Sequence, residues 1–298
     1  MTTSLVFGLT DVTVREATPV ELIGTSLDAR IEILRLLQAA GILFAEATVL
    51  PQSKLFPDGR QLLYRSAGAG LDDLSLRALP FSTEALAEVD IIRQDVTGLT
   101  DNSVFHTAAT PKFRLRNYGQ RDLDHVKIRM GRFISYFIRK GRRFERLMLS
   151  TAWGDRQETL ADGALMAMLS TLMDHAYNMG CPIQNLVLAD TSQCATPEAV
   201  EQAVRAIKSQ YPDLLVTLHM HPKLGTELEI VLAGIEAGVE NWEAGLGGGG
   251  CPNATGAGAN LDHFTIVRGY EIKGLQVGLQ MDALASARDL FHRLAVST

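Results

Sequence analysis

Short apolar runs alternate with amphipathic stretches about eight times along this chain of 298 residues. No other feature constrains the fold as tightly. A strand followed by a helix, repeated, lays the strands parallel and buries them under their own helices. At this length and repeat number the pattern predicts an α/β fold, a single (β/α)8 TIM barrel over residues 1–298. An open doubly wound sheet is the second arrangement with the same alternation. The runs that read as strands are 4–14, 42–50, 74–81, 103–108, 146–151, 185–190, 214–220 and 239–245. Between them, 26–41 carries apolar residues at helical spacing and Gly41 closes it. Residues 159–180 and 225–238 repeat the pattern, and 196–210 opens with Thr196 as cap and Pro197 at the first helical position. No linker-like stretch divides the chain, so one domain is expected. Residues 51–72 show the least readable pattern.

Composition narrows the function classes. A net charge of −6 argues against a nucleic-acid surface, because neutralising phosphates needs an excess of Lys and Arg. The one basic cluster, "IRKGRR" at 138–143, reads as the solvated end of a helix. No apolar run is long enough to span a bilayer, and the N-terminus lacks the basic and apolar regions of a signal peptide. Cys181, Cys194 and Cys251 are odd in number and lack metal-type spacing, which argues against a disulfide framework. A cytoplasmic protein with no membrane partner is expected.

In a barrel, chemistry belongs at the C-terminal ends of the strands. The unusual residues fall there: Arg15 and Glu16 ending the first strand, Glu46 late in the second, Asp190 ending the sixth, His219 and His221 ending the seventh. Residues two apart on a strand share a face, so the two imidazoles leave one side together and point to a metal. Glu16 is the candidate carboxylate. Two histidines, a carboxylate and an amide oxygen, with positions left open for water or substrate, suit Mg²⁺, Mn²⁺ or Zn²⁺. Arg15 reads either as an ion-pair partner or as a positive fork facing an enolate or carboxylate oxygen. Asp190 and Glu46 each read as a structural group or as a base. "GLGGGG" (245–250) follows the last strand, where a dinucleotide-binding loop would follow the first. It reads instead as a mobile lid that carries Cys251, either an inert thiol or a proton donor or acceptor.

Five segments taken together, "DVTVREA" (11–17), "AEATVL" (45–50), "LADTSQCATPE" (189–198), "HMHPKLG" (219–225) and "GLGGGGCPNATGAGAN" (245–260), resemble the HMG-CoA-lyase-like branch of the DRE-TIM metallolyases. The likeness runs over nearly the whole chain and is clearest from 185 to 295. H-x-H followed by C-P-x-A-x-G-x-x-x-N is its most specific part. The resemblance implies a divalent-metal barrel in which Glu16, His219, His221 and Asn260 hold the ion, Arg15 steadies an enolate oxygen, Asp190 moves a proton and Cys251 is the lid cysteine. It implies carbon–carbon cleavage of a 3-hydroxyacyl-CoA or related hydroxy acid, by a protein that is often a homodimer. A Claisen-type synthase, a 2-oxo-acid aldolase or a non-catalytic metal-binding barrel are the alternatives. Several positions depart from the family pattern: Glu16 stands where its lyases usually carry Asp, Ala17 and Pro19 replace Gly and Gln, Pro222-Lys223 replace Asp-Thr, and Phe264 replaces Glu. The metal shell is thus better kept than the substrate shell, which implies the same chemistry on a different substrate.

Overall fold

The structure is a computed structural model that describes residues 8–101, 104–250 and 258–296. In chain order its elements are β1 (Gly8–Asp11), α1 (Thr13–Ala17), α2 (Leu27–Ala39), β2 (Phe44–Leu50), α3 (Gly59–Ser66), β3 (Ser75–Pro80), α4 (Thr83–Ile92) and β4 (Leu99–Asp101). Then follow β5 (Val104–Ala108), α5 (Pro111–Tyr118), α6 (Leu123–Arg139), β6 (Arg146–Ser150), α7 (Ala164–Asn178), β7 (Asn185–Asp190), α8 (Pro197–Gln210), β8 (Leu215–Met220) and α9 (Glu227–Ala237). The chain ends with β9 (Asn241–Ala244), α10 (His263–Ile272) and α11 (Met281–Val296).

In hydrogen-bonded order the strands run β4-β3-β2-β1-β9 in one part of the chain and β8-β7-β6-β5 in the other. Among the described residues the expected eight strands are nine, because Leu99–Asp101 makes an additional one. Three residues are too few to show any period, which is why the sequence hides it. Contacts divide the chain into two compact units, residues 1–102 with 242–252 and 259–298, and residues 103–241 with 253–258.

In the first unit β1, β2, β3 and β4 pair in parallel, and β2 is buried along all but its first residue. The β2–β3 register shifts between Glu46 and Thr48, a bulge of the kind that re-aims side chains beside functional sites. Helix α2 is capped by Ser26, whose Oγ accepts from the Ala29 N–H, and it buries Ile31, Ile33, Leu34 and Leu37. Gly41 follows it with a φ of 88°, as a helix terminator should. In the second unit β5, β6, β7 and β8 pair in parallel. Thr196 Oγ1 accepts from the Ala199 N–H and Pro197 opens α8, as the sequence predicts. Among the described residues no helix is long and apolar enough to cross a membrane.

The N-terminal run departs from expectation. Read as a strand over 4–14, it is a strand only to Asp11 among its described residues, and Thr13–Ala17 turn into α1. The cause is Asp11: its Oδ1 accepts from the Thr13 N–H at 2.9 Å and its Oδ2 from Thr13 Oγ1 at 2.7 Å. This Asx turn, ahead of the Val12 N-cap, overrides the β propensity of "VTV". Arg15 and Glu16 therefore sit on a helical turn after β1, not on the strand. Glu46 is the third of seven residues in β2, not late in it.

Candidate metal centre

The first unit places Arg15, Glu16, Glu46, Glu243 and Asn260. Arg15 donates from Nε to Glu46 Oε2 at 2.5 Å and from Nη1 to Glu16 Oε1. Burial works against the guanidinium charge, but Glu16, Glu46 and Glu243 outweigh it and raise the pKa above the ordinary arginine value. The fork is permanently charged and fixed in direction. Glu243 on β9 is 1% exposed and was not among the candidate residues. An acid inside the short buried strand "NWEA" was the available signal, since a buried carboxylate needs a partner.

Asn260 is 3% exposed. Its Nδ2 donates to the Gly248 carbonyl at 3.3 Å, whereas its Oδ1 is buried without a hydrogen-bond partner. A buried amide oxygen left so is costly, and a cation ligated there would satisfy it. Gly249, with a φ of 76°, is wedged beside the same groups: a Cβ on it would lie 2.9 Å from Glu16 Cβ and 2.9 Å from Asn260 Nδ2. A Cβ on Gly248 would lie 2.6 Å from the Phe291 ring. These two glycines allow close packing that no side chain would permit. Cys251 lies outside the described residues. Gly249→Ala is expected to destabilise the protein by about 1–3 kcal/mol through overpacking and backbone strain. Gly68→Ala, in open space, is the control and should be near neutral in the same thermal melts.

The second unit places His219, His221 and Asp190. His219 and His221 are 4% and 1% exposed, and their Nε2 atoms face each other at 3.1 Å. His221 Nδ1 lies 2.9 Å from the Gly258 carbonyl, which only accepts, so Nδ1 carries the proton and Nε2 of the neutral ring presents a lone pair. Two facing lone pairs repel unless a proton or a cation lies between them. Asp190 ends β7 and is 1% exposed. Its Oδ1 accepts from the Cys194 N–H at 2.8 Å, while Oδ2 is buried and carries no hydrogen bond. Burial pushes its pKa up to about 6, against the opposing pull of the Cys194 and Ala195 N–H groups, Lys223 and His219.

Among the described residues, Glu16 in the first unit and His219 and His221 in the second each offer a buried donor of the kind that holds a metal ion. Two imidazoles and a carboxylate are the mixed nitrogen and oxygen donors that divalent cations of the Mg²⁺, Mn²⁺ and Zn²⁺ class accept. Of the residues that depart from the family pattern, Phe264 lies against the Arg288 guanidinium, 3.9 Å from its ring centroid, and Lys223 is exposed.

The model of the HMGL-like family matches residues 7–291. (R)-citramalyl-CoA lyase of Chloroflexus aurantiacus is 34% identical over 119 residues, 40% of this chain and 37% of that protein. Hydroxymethylglutaryl-CoA lyase YngG of Bacillus subtilis is 28% identical over 137 residues, 41% of this chain and 46% of that one. These matches thus span less than half the length of each relative. Among solved structures, the HMG-CoA lyase of A. baumannii in complex with coenzyme A and 3-methylmalate has a TM-score of 0.81 at 22% identity, covering 99% of this chain and 93% of that one. The B. subtilis HMG-CoA lyase has a TM-score of 0.81 at 19% identity, covering 99% and 96%. These two share the fold. With the family pattern matched from Phe7 to Phe291, the chain belongs to the HMGL-like family.

Proposed function

We propose that the protein is a divalent-metal-dependent carbon–carbon lyase that cleaves a 3-hydroxyacyl-CoA of the HMG-CoA or citramalyl-CoA kind. The observations that support the reading are the buried donors of each unit: Glu16 and Asn260, the latter with an amide oxygen otherwise unsatisfied, in the first, and the facing imidazoles of His219 and His221 in the second. Those four would hold Mg²⁺ or Mn²⁺, with Zn²⁺ as the other choice. The bound cation would act as a Lewis acid on the substrate hydroxyl, lowering its pKa.

The residues then divide the work. Asp190, held through Oδ1 with Oδ2 uncommitted, takes the hydroxyl proton. The bond between the α and β carbons breaks, the hydroxyl-bearing carbon becomes a carbonyl, and the bond pair passes to the thioester as an enolate. Arg15 faces that negative charge with a fork aimed by Glu46 and Glu16, which makes Glu46 a positioning residue. Cys251 returns a proton to the enolate carbon. The same reading makes the chain one (β/α)8 barrel domain, acting in the cytoplasm as a homodimer. Support comes from the family resemblance and from the shared fold of the HMG-CoA lyases.

The test is incubation of Mn²⁺-loaded protein with HMG-CoA and with citramalyl-CoA. Metal-dependent release of acetyl-CoA is expected, abolished by a chelator and restored by Mn²⁺. Turnover of neither, with no metal-dependent exchange of thioester α-protons into deuterated water, would sink the proposal. Asp190→Asn should cost about 10²–10⁴-fold in kcat. It should also change stability in the opposite sense. The folded pKa of Asp190 is raised, so its contribution is complete below about pH 4 and is lost as pH rises through about 6. Metal-free Asp190→Asn should therefore be the more stable protein at pH 8, by up to about 3 kcal/mol, with no advantage at pH 4. Denaturant melts of both proteins at the two pH values check this.

A further inference from the structure

Gln193 is one of two non-glycine residues with positive φ among those described; its φ is 58°. Such a conformation costs free energy and persists only where the surroundings enforce it. What enforces it is visible. Gln193 Nε2 donates to the Pro222 carbonyl at 3.0 Å, and its Oε1 accepts from Arg156 Nη2 at 3.0 Å. The amide also packs against Gly258: a Cβ built there would sit 1.8 Å from Gln193 Nε2 and 2.7 Å from its Cδ. Both atoms that Gln193 secures lead to His221. Pro222 is the next residue along the chain, and the Gly258 carbonyl receives His221 Nδ1.

We infer that Gln193 is a positioning residue for His221, fixing the chain after it and the carbonyl behind it, so that Nε2 keeps its lone pair and its direction. Proline reinforces the arrangement, because the residue before it is held out of the helical region and so His221 leaves β8 extended. The backbone strain at Gln193 is the local cost of setting one imidazole. Groups that orient a ligating histidine through its second nitrogen typically change metal affinity by 10–100-fold when removed. This inference rests on the metal-site reading above.

The experiment titrates metal-free wild type, Gln193→Gly and Gln193→Met with Mn²⁺, following free Mn²⁺ by its EPR signal and the bound ion by its line shape. Metal-free melting temperatures are measured in parallel. Gln193→Gly relieves the strained backbone but deletes the clamp. Its metal-free melting temperature should be unchanged or higher, while its Kd for Mn²⁺ rises tenfold or more and the bound line shape changes. Gln193→Met retains bulk over Gly258 without either hydrogen bond, and its Kd should rise several-fold. A merely structural glutamine predicts the reverse: lower metal-free stability with Kd within twofold of wild type, and that outcome overturns the inference. Wild type that fails to bind Mn²⁺ overturns the metal site as well, so the two failures are told apart by the first titration.

Discussion

His219→Ala is expected to bind essentially no divalent metal, where wild type binds about one ion per chain, and Glu16→Ala should behave alike. Each substitution deletes one donor of the proposed ligand set. In wild type, saturating Mn²⁺ should raise stability by RT ln(1 + [L]/Kd), about 2.7 kcal/mol at 100 times Kd. The two variants should show no such gain. Metal-free His219→Ala should meanwhile keep the fold, losing the 3.1 Å hydrogen bond between the two Nε2 atoms, about 0.5–1.5 kcal/mol. Elemental analysis after dialysis, paired with melts in Mn²⁺, checks both halves. Stoichiometric metal in either variant would put the ion elsewhere.

The second large effect belongs to Arg15. Arg15→Met should lower stability by about 3–5 kcal/mol, the usual consequence of removing one member of a buried ion pair. Glu16 and Glu46 are 5% and 1% exposed and Glu243 acts on the same guanidinium, so three acids lose the cation that faces them. Loss of the enolate-facing fork should also cost about 10²–10³-fold in kcat. Arg15→Lys separates the two effects. An ammonium restores much of the charge balance but lacks the paired N–H geometry that reaches Glu46 and Glu16 together. It should therefore recover most of the stability and little of the rate. Recovery of both would make Arg15 a counter-charge with no part in the chemistry.

The strands that the sequence makes plain are the long buried ones. "NLVLAD" and "FAEATVL" read as continuous apolar runs because parallel strands are covered on both faces, and both are strands here. β4 has three residues, and α3 lies in the stretch with no clear period, so neither leaves a readable pattern. The site was legible where residue type is itself unusual. Two histidines two apart near a strand end need an explanation, and the structure faces their Nε2 atoms together. Glu243 and Gln193 were not legible. One is an acid whose partner, Arg15, is more than 200 residues away in sequence. The other matters through a backbone angle and through contacts with Pro222 and Gly258 that only the folded chain brings near. Asp11 shows the same limit at short range. Its side chain turns a β-branched segment into the helical turn that carries Arg15 and Glu16.

Anomalous diffraction from crystals of the full chain grown with Mn²⁺ addresses the centre directly. The expected result is one strong peak within about 2.0–2.4 Å of a Glu16 carboxylate oxygen, His219 Nε2, His221 Nε2 and Asn260 Oδ1. A peak bound by other residues, or no peak while these four side chains keep their present partners, would contradict the account.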